Sequence, residues 1–327
     1  MKQKFVLLFF FSFVVCLPPA RAVPLNGQNY VSLADWARAN GFHTTIHGRE
    51  IDLTSKTSRL IFYADSDDSE INGVDVRLCF PVAKGALISQ LDLDHTVRPL
   101  VFPQTLPDKK ITTICLDPGH GGKDTGNRVH RLYWHNEKTY TLLLAFELRE
   151  QLERAGFKVI LTRDKDVYVD LPARPAFANR HNADLFISLH FNATPTDKDE
   201  VEGPETYCIT PVGANSSNAG SVEFTSSAAT GPTIANRHEK ESLVLAYEVE
   251  KSLVQNLDAN DRGVKRARFA VLRDAEMPAI LIEGGFMTNP TEGKKIFEAA
   301  YRKQMAAAIL KGVLAYQKLT APATPAK

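Results

Sequence analysis

The sequence predicts an α/β fold, a mostly parallel twisted sheet flanked by helices, preceded by a small α+β domain. Three observations predict it. From Ile111 onward, short apolar β-rich runs alternate with segments of helical period, the pattern of a parallel sheet with crossover helices. Several of those runs end in polar or glycine-rich residues, as strands do where they deliver loops to a sheet edge. Prolines 99, 103 and 107 separate this part from an N-terminal region with a different pattern.

Residues 1–22 read as a secretory signal peptide. Lys2 and Lys4 precede an apolar stretch from Phe5 to Leu17, followed by the cleavage signature Ala20-Arg21-Ala22. That stretch is too short to span a bilayer comfortably, so no mature transmembrane segment is expected. A lipid anchor at Cys16 is disfavoured, because Val15 stands where a small residue would be wanted.

Residues 23–98 are expected to form the small α+β domain. Ser32 to Asn40 reads as its helix, with Leu33, Trp36 and Ala37 at helical spacing and Gly41 as the stop. Glu50–Leu53, Arg59–Tyr63 and Val74–Phe80 read as strands, and His43 and His47 as surface residues. Residues 99–109 read as a non-helical linker because of their prolines.

In the second region, residues 110–319, Ile111–Leu116 is the first strand. Glu137 to Ala155 is a helix with an apolar stripe at Leu144, Leu148, Leu152 and Ala155, stopped by Gly156. Phe157–Thr162, Asp184–Leu189, Glu205–Ile209, Phe269–Leu272 and Ala279–Ile282 read as strands. Arg174–Asn182, Glu239–Leu257 and Thr291–Leu319 read as helices. Residues 211–236, rich in Ser, Ala, Asn and Gly, read as a mobile loop over a substrate groove, and 320–327 as a disordered tail.

Composition narrows the function. A formal net charge of +1 offers no electrostatic case for nucleic acid, so that partner is excluded. Of the four cysteines, Cys16 leaves with the signal. Cys79, Cys115 and Cys208 are too widely spaced for a disulfide framework or a cysteine metal cluster.

The chemistry sits beyond strand ends, where α/β sheets place their sites. His120 lies in Asp117-Pro118-Gly119-His120-Gly121-Gly122, a stiff turn after the first strand. His190 follows Asp184–Leu189, and Glu283 follows Ala279–Ile282. A polar group ending an apolar run is costly unless satisfied or used. A hydrolytic zinc site needs three protein ligands and an open position. Glu137, in the first turn of the helix after the His120 loop, completes a His₂Glu set of His120, Glu137 and His190 for one Zn²⁺ ion. Zinc lowers the pKa of a bound water from roughly 15.7 to about 7, and Glu283 is then the catalytic base, passing the proton to the leaving amine.

Other readings of these residues stay open at this level. His120 could be a turn histidine, His190 a core histidine, and Glu137 an acid that only complements its helix dipole. Glu283 could be the buried partner of Arg163 or Arg174. His130 and His135 compete as ligands, while His95, His181 and His238 read as surface or loop residues.

Five blocks carry a resemblance: Asp117 to Gly122, Leu161-Thr162-Arg163-Asp164, Leu171 to Asn179, Ala183 to Ala193, and Leu281 to Asn289. In that order they resemble the zinc-dependent N-acetylmuramoyl-L-alanine amidases of bacterial cell-wall remodelling, over residues 111 to 316. The resemblance implies hydrolysis of the amide between N-acetylmuramic acid and L-alanine in peptidoglycan. It carries the metal ligands to His120, Glu137 and His190, and the catalytic glutamate to Glu283. With peptidoglycan as partner and export on the signal peptide, the chain is expected in the periplasm or cell wall as a monomer, and whether it also needs an activator protein stays open. The N-terminal domain loosely resembles the small modules of secreted wall enzymes named after copper amine oxidases, which implies no copper. Two alternatives from other classes are a catalytically silent wall-binding or regulatory module and a zinc peptidase cutting within the stem peptide.

Overall fold

The computed structural model describes residues 22–25, 27–131, 133–196, 198–216 and 231–321. The expected signal peptide, apart from Ala22, lies outside the described residues. So do residues 217–230 of the expected loop and 322–327 of the expected tail.

The catalytic region is built on six strands: β1 (Thr113–Pro118), β2 (Lys158–Leu161), β3 (Leu185–Asn192), β4 (Glu205–Cys208), β5 (Val264–Arg266) and β6 (Ala279–Phe286). They lie in the order β2-β1-β3-β6-β4-β5. Every pairing is parallel except β4 with β6. The expected α/β class, a mostly parallel sheet, is what the chain adopts.

Side-chain alternation along the strands sorts the sheet into two faces. Ile114 and Leu116, Leu185, Ile187, Leu189 and Phe191, and Ile280 and Ile282 share one apolar core. That face is covered by α1 (Glu137–Arg154), α3 (Glu239–Leu257) and α4 (Ala299–Thr320). Tyr140, Leu144, Leu148 and Leu152 are the buried stripe of α1, and each fully buried leucine contributes about 1.5–3 kcal/mol. The opposite face presents Cys115, Phe186, Tyr207 and Leu281 to a smaller core. It is covered by α2 (Ala173–Arg180) and the short helix Ala270–Arg273. On this thinner side the same alternation carries Asp117, Ser188, His190, Glu205 and Glu283.

The N-terminal region contributes a three-stranded sheet (Val23–Leu25, Gln28–Ser32, Leu87–Ser89) and a five-stranded antiparallel meander from His43 to Asp75. Its helix, Leu33–Ala39, begins where Ser32 Oγ accepts the Asp35 N–H at 3.2 Å, and Gly41 leaves it at φ +75°. The core of this region is continuous with that of α3 and α4. Tyr247 Oη on α3 donates to the Ile71 carbonyl at 2.9 Å. Val76 forms a parallel bridge to Val264, with the Arg77 N–H donating to the Val264 carbonyl at 2.9 Å. The N-terminal region thus covers β5, the outer strand of the central sheet.

Several local expectations are corrected. Residues 99–101, expected to be part of a non-helical linker, belong to the helical turn Arg98–Val101, with Pro99 and Leu100 buried. Proline is tolerated there because the first helical N–H needs no intrahelical acceptor. Phe269–Leu272 is not a strand: Phe269 caps the helix Ala270–Arg273. Thr291–Leu319 is two helices, broken at Glu298, whose extended backbone (φ −87°, ψ 133°) interrupts the turn. Of Val74–Phe80 only Val74–Asp75 is a strand. Thr320, placed in the tail, is the buried last residue of α4. Unforeseen were β5, strand His43–His47 and a hairpin of Arg128–His130 with Trp134–Asn136.

Candidate metal centre

Two of the four expected site residues lie within strands rather than after them. His190 in β3 and Glu283 in β6 are direct register partners, so their side chains leave the sheet on the same face. A register shift between His190 and Asn192 marks where β3 departs from regular pairing.

His120 follows β1 in a loop whose shape its neighbours impose. It holds φ +62°, a left-handed conformation that costs a non-glycine residue roughly 1–2 kcal/mol. Two buried arginines secure the loop. Arg174 donates to the carbonyls of Pro118 and His120 at 3.0 and 2.9 Å, and pairs with the fully buried Asp117 at 2.8 Å. Arg163 donates to the carbonyls of Pro118, Gly119 and Lys138 at 2.8–2.9 Å. Neither arginine reaches Glu283, so that alternative for Glu283 falls.

Glu137 opens α1 and is 1% exposed. Its Oε1 lies 3.0 Å from both His120 Nε2 and His190 Nδ1. Its Oε2 accepts the Asn127 N–H at 2.8 Å, which fixes the carboxylate plane. Ligand atoms of His120, Glu137 and His190 all lie within 4.8 Å of one another, and this is the one such group among the described residues. Asp124 holds His120 Nδ1 at 2.8 Å, leaving Nε2 turned toward Glu137. A carboxylate behind a ligating imidazole is the usual outer-shell partner of a metal-binding histidine. Burial opposes the charge of Glu137, but the two imidazoles hold its carboxyl well below the usual range. Burial likewise opposes protonation of His120, while Glu137 and Asp124 raise its pKa.

These three residues and Glu283 open onto one cavity of about 340 Å³, also walled by Leu171 and Phe269. Glu283 Oε2 is buried and has no hydrogen-bond partner among the described residues. Burial, then the charges of Glu137 and Glu205, push its pKa well above the ordinary carboxyl value. Glu205, its register partner on β4, is satisfied by Arg262, Lys265, Tyr207 and Asn192. One acid of the adjacent pair is therefore neutralised and the other is left free to exchange a proton.

The competing histidines are elsewhere. His135 is buried, stacks on Phe297 at 3.8 Å and is hydrogen-bonded to Tyr140. His130 lies on the outer face of the hairpin against Trp134. His95, read as a surface or loop residue, is half-buried and bonded to Glu239. Asp124, Asn127 and Glu205 escaped the sequence reading. Asp124 lies just beyond the Asp117–Gly122 turn and carries no signal of its own, while Glu205 becomes visible only once β4 is known to pair with β6.

Comparison with known proteins identifies the family and the fold. Residues 114–315 match the family described as N-acetylmuramoyl-L-alanine amidase. The chain is 34% identical over 220 residues to N-acetylmuramoyl-L-alanine amidase AmiC of Neisseria meningitidis, covering 62% of this chain and 52% of that protein. It therefore spans about half the length of that relative. The crystal structure of N-acetylmuramoyl-L-alanine amidase from Clostridium difficile 630 superposes with a TM-score of 0.52 at 31% identity, covering 64% of this chain and 98% of that one. The CwlD amidase from Clostridioides difficile, solved in complex with the GerS lipoprotein, superposes with a TM-score of 0.51 at 27% identity, covering 63% and 98%.

Proposed function

The chain belongs to the N-acetylmuramoyl-L-alanine amidase family, and from that premise we propose that it hydrolyses the amide between N-acetylmuramic acid and L-alanine in peptidoglycan. The observation that carries the reading is a His₂Glu donor set, its ligand atoms within 4.8 Å of one another, on a cavity whose wall holds Glu283 with Oε2 unpartnered among the described residues. Two imidazoles and one carboxylate suit zinc, which takes three protein ligands and an open position in hydrolytic sites. His120, Glu137 and His190 would hold one zinc ion; when bound it supplies Lewis acidity that polarises a carbonyl and acidifies water.

The rest of the reaction falls to this chain's own groups. Glu283 Oε2 takes the proton of the attacking water and returns it to the departing L-alanine amine, a transfer its missing hydrogen-bond partner leaves it free to make. A cation held by Glu137 offsets one of the two charges that raise the Glu283 pKa. Glu205, neutralised by Lys265 and Arg262, keeps its own charge without competing for that proton. Leu171 and Phe269 give the cavity apolar walls, which strengthen charge interactions inside it.

In the cell this activity serves wall remodelling or septum splitting, in the periplasm or cell wall, after export on the signal at residues 1–22. No described helix is long and apolar enough to cross a membrane. A partner protein is consistent with this setting, since the CwlD neighbour was solved in complex with a lipoprotein.

Mass spectrometry of purified peptidoglycan digests tests the proposal. The wild type should release intact stem peptides with a free L-alanine amine, and a chelator should abolish that release. Glu283→Gln should retain metal but lose activity, and His120→Ala should lose both. Fragments cut within the stem would make the protein a peptidase, a wild type without activity would sink the enzyme reading, and equal activity of wild type and Glu283→Gln would remove Glu283 as the base.

A further inference from the structure

The hairpin between the His120 loop and α1 has two unlike faces. Its register pairs Arg128 with Asn136, Val129 with His135, and His130 with Trp134. Alternation therefore puts Val129 and His135 on one side and Arg128, His130 and Trp134 on the other. The first side is fixed to the body of the protein. His135 is 5% exposed and stacks on Phe297 at an interplanar angle of 10°. Arg131, at the turn, donates to the Asn289 carbonyl at 3.1 Å.

The second side is free. Trp134 is 54% exposed, although an indole is among the most costly side chains to leave in water. Its ring is held on both flanks. The Arg128 guanidinium lies 4.3 Å from its centroid, and the His130 ring meets it edge-on at 4.9 Å. The guanidinium thus covers part of one face of the indole, and the ring surface left exposed is flanked by hydrogen-bond donors on the ribbon. It is also tied to the metal centre. The Asn127 carbonyl, at the base of the ribbon, accepts the Glu137 N–H at 2.9 Å, and Asn127 lines the cavity. Trp134 stands three positions before Glu137, roughly 10 Å along an extended strand.

We propose that the Arg128–His130–Trp134 face is a glycan subsite, on which an N-acetylhexosamine ring of the substrate strand stacks beside the cavity. The inference rests on the amidase reading of that cavity. A pyranose offers an axial C–H face to the indole and equatorial hydroxyl and acetamido groups at its rim. The guanidinium over one face and the imidazole beside the ring supply donors of the kind that such rim groups accept from. The scissile amide hangs from a sugar, so a strand engaged at the cavity must continue over adjacent surface. A stem peptide, by contrast, offers no repeating apolar ring for an isolated indole.

The chain contains two tryptophans, and Trp36 is buried in the N-terminal region. In a Trp36→Phe/Glu283→Gln protein, Trp134 is the sole indole and hydrolysis is blocked. Titration with peptide-free glycan strands should shift its emission to the blue and saturate, while isolated stem peptide should leave the spectrum unchanged. In the Glu283→Gln protein with Trp36 retained, adding Trp134→Ala should weaken co-sedimentation with peptide-free glycan about tenfold, and Trp134→Phe should restore most of it. A spectrum silent to glycan, a response to stem peptide alone, or co-sedimentation indifferent to Trp134→Ala would each overturn the subsite. Failure of the amidase reading is seen separately, as a wild type that releases no free-amine stem peptides.

Discussion

Arg174→Met is the perturbation whose cost can be worked most directly from the structure. Arg174 is 1% exposed and its partner Asp117 is fully buried, with 2.8 Å between Nη1 and Oδ1. Methionine fills much of the same space but leaves the carboxylate with only the Thr162 and Ser188 hydroxyls. Removing one partner of a buried ion pair costs about 3–5 kcal/mol, because the other charge is left uncompensated. Arg174 also donates to the carbonyls of Val169, Pro118 and His120, which places the cost toward the upper end of that range. For a domain of this size, about 4 kcal/mol corresponds to a fall in Tm of roughly 8–16 °C. Urea denaturation of wild type, Asp117→Asn, Arg174→Met and the double variant closes a thermodynamic cycle. Asp117→Asn should rescue Arg174→Met, giving a coupling of at least about 2 kcal/mol. A coupling below about 0.5 kcal/mol would refute the argument that this pair anchors the His120 loop.

Two further outcomes are expected. A Cβ placed on Gly119 would sit 2.2 Å from His190 Cε1, so Gly119→Ala must displace that imidazole. It should lose bound metal and activity while far-UV circular dichroism stays native, and full metal content would contradict it. Partial desolvation of this exposed edge residue, then the charges of Asp261, Glu70 and Asp68, raise the pKa of Asp75 to about 6. The native state then holds a proton that the unfolded chain has released, so stability falls as pH rises from about 4 to 6. Asp75→Asn should leave Tm unchanged near pH 4 and raise it above pH 6.5; equal Tm values at both would show that Asp75 is not strained.

The site was legible because strand alternation and strand ends are local properties. His190 and Glu283 stand at the ends of apolar runs, and Glu137 opens a helix with an unbroken apolar stripe. Their convergence needed only the parallel sheet those runs predict. Glu205 was hidden by topology: β4 enters antiparallel beside β6, and nothing within residues 205–208 announces that neighbour. The hairpin at 128–136 lacks the Asn-Gly or Asp-Gly turn that marks tight hairpins, and its ring stack draws on Phe297, far along the chain. Residues 99–101 were misread because proline was weighed as a breaker, whereas packing of Leu100 in the shared core decided for a helical turn. The short helix at Ala270–Arg273 was lost for a similar reason, since four apolar residues fit strand and helix equally well.

The Val76–Val264 bridge has a consequence for how this molecule can be divided. An enzyme whose accessory module hangs on a flexible tether can be trimmed to its catalytic half, and the halves should melt separately. Here the module seals the outermost strand of the central sheet and shares one apolar core with α3 and α4. A fragment beginning near residue 110 would bare an open strand edge beside apolar helix surface, the combination that recruits other chains into aggregates. Calorimetry of the whole protein should accordingly show one cooperative transition. The module is better regarded as a missing wall of the catalytic domain than as an appendage to it.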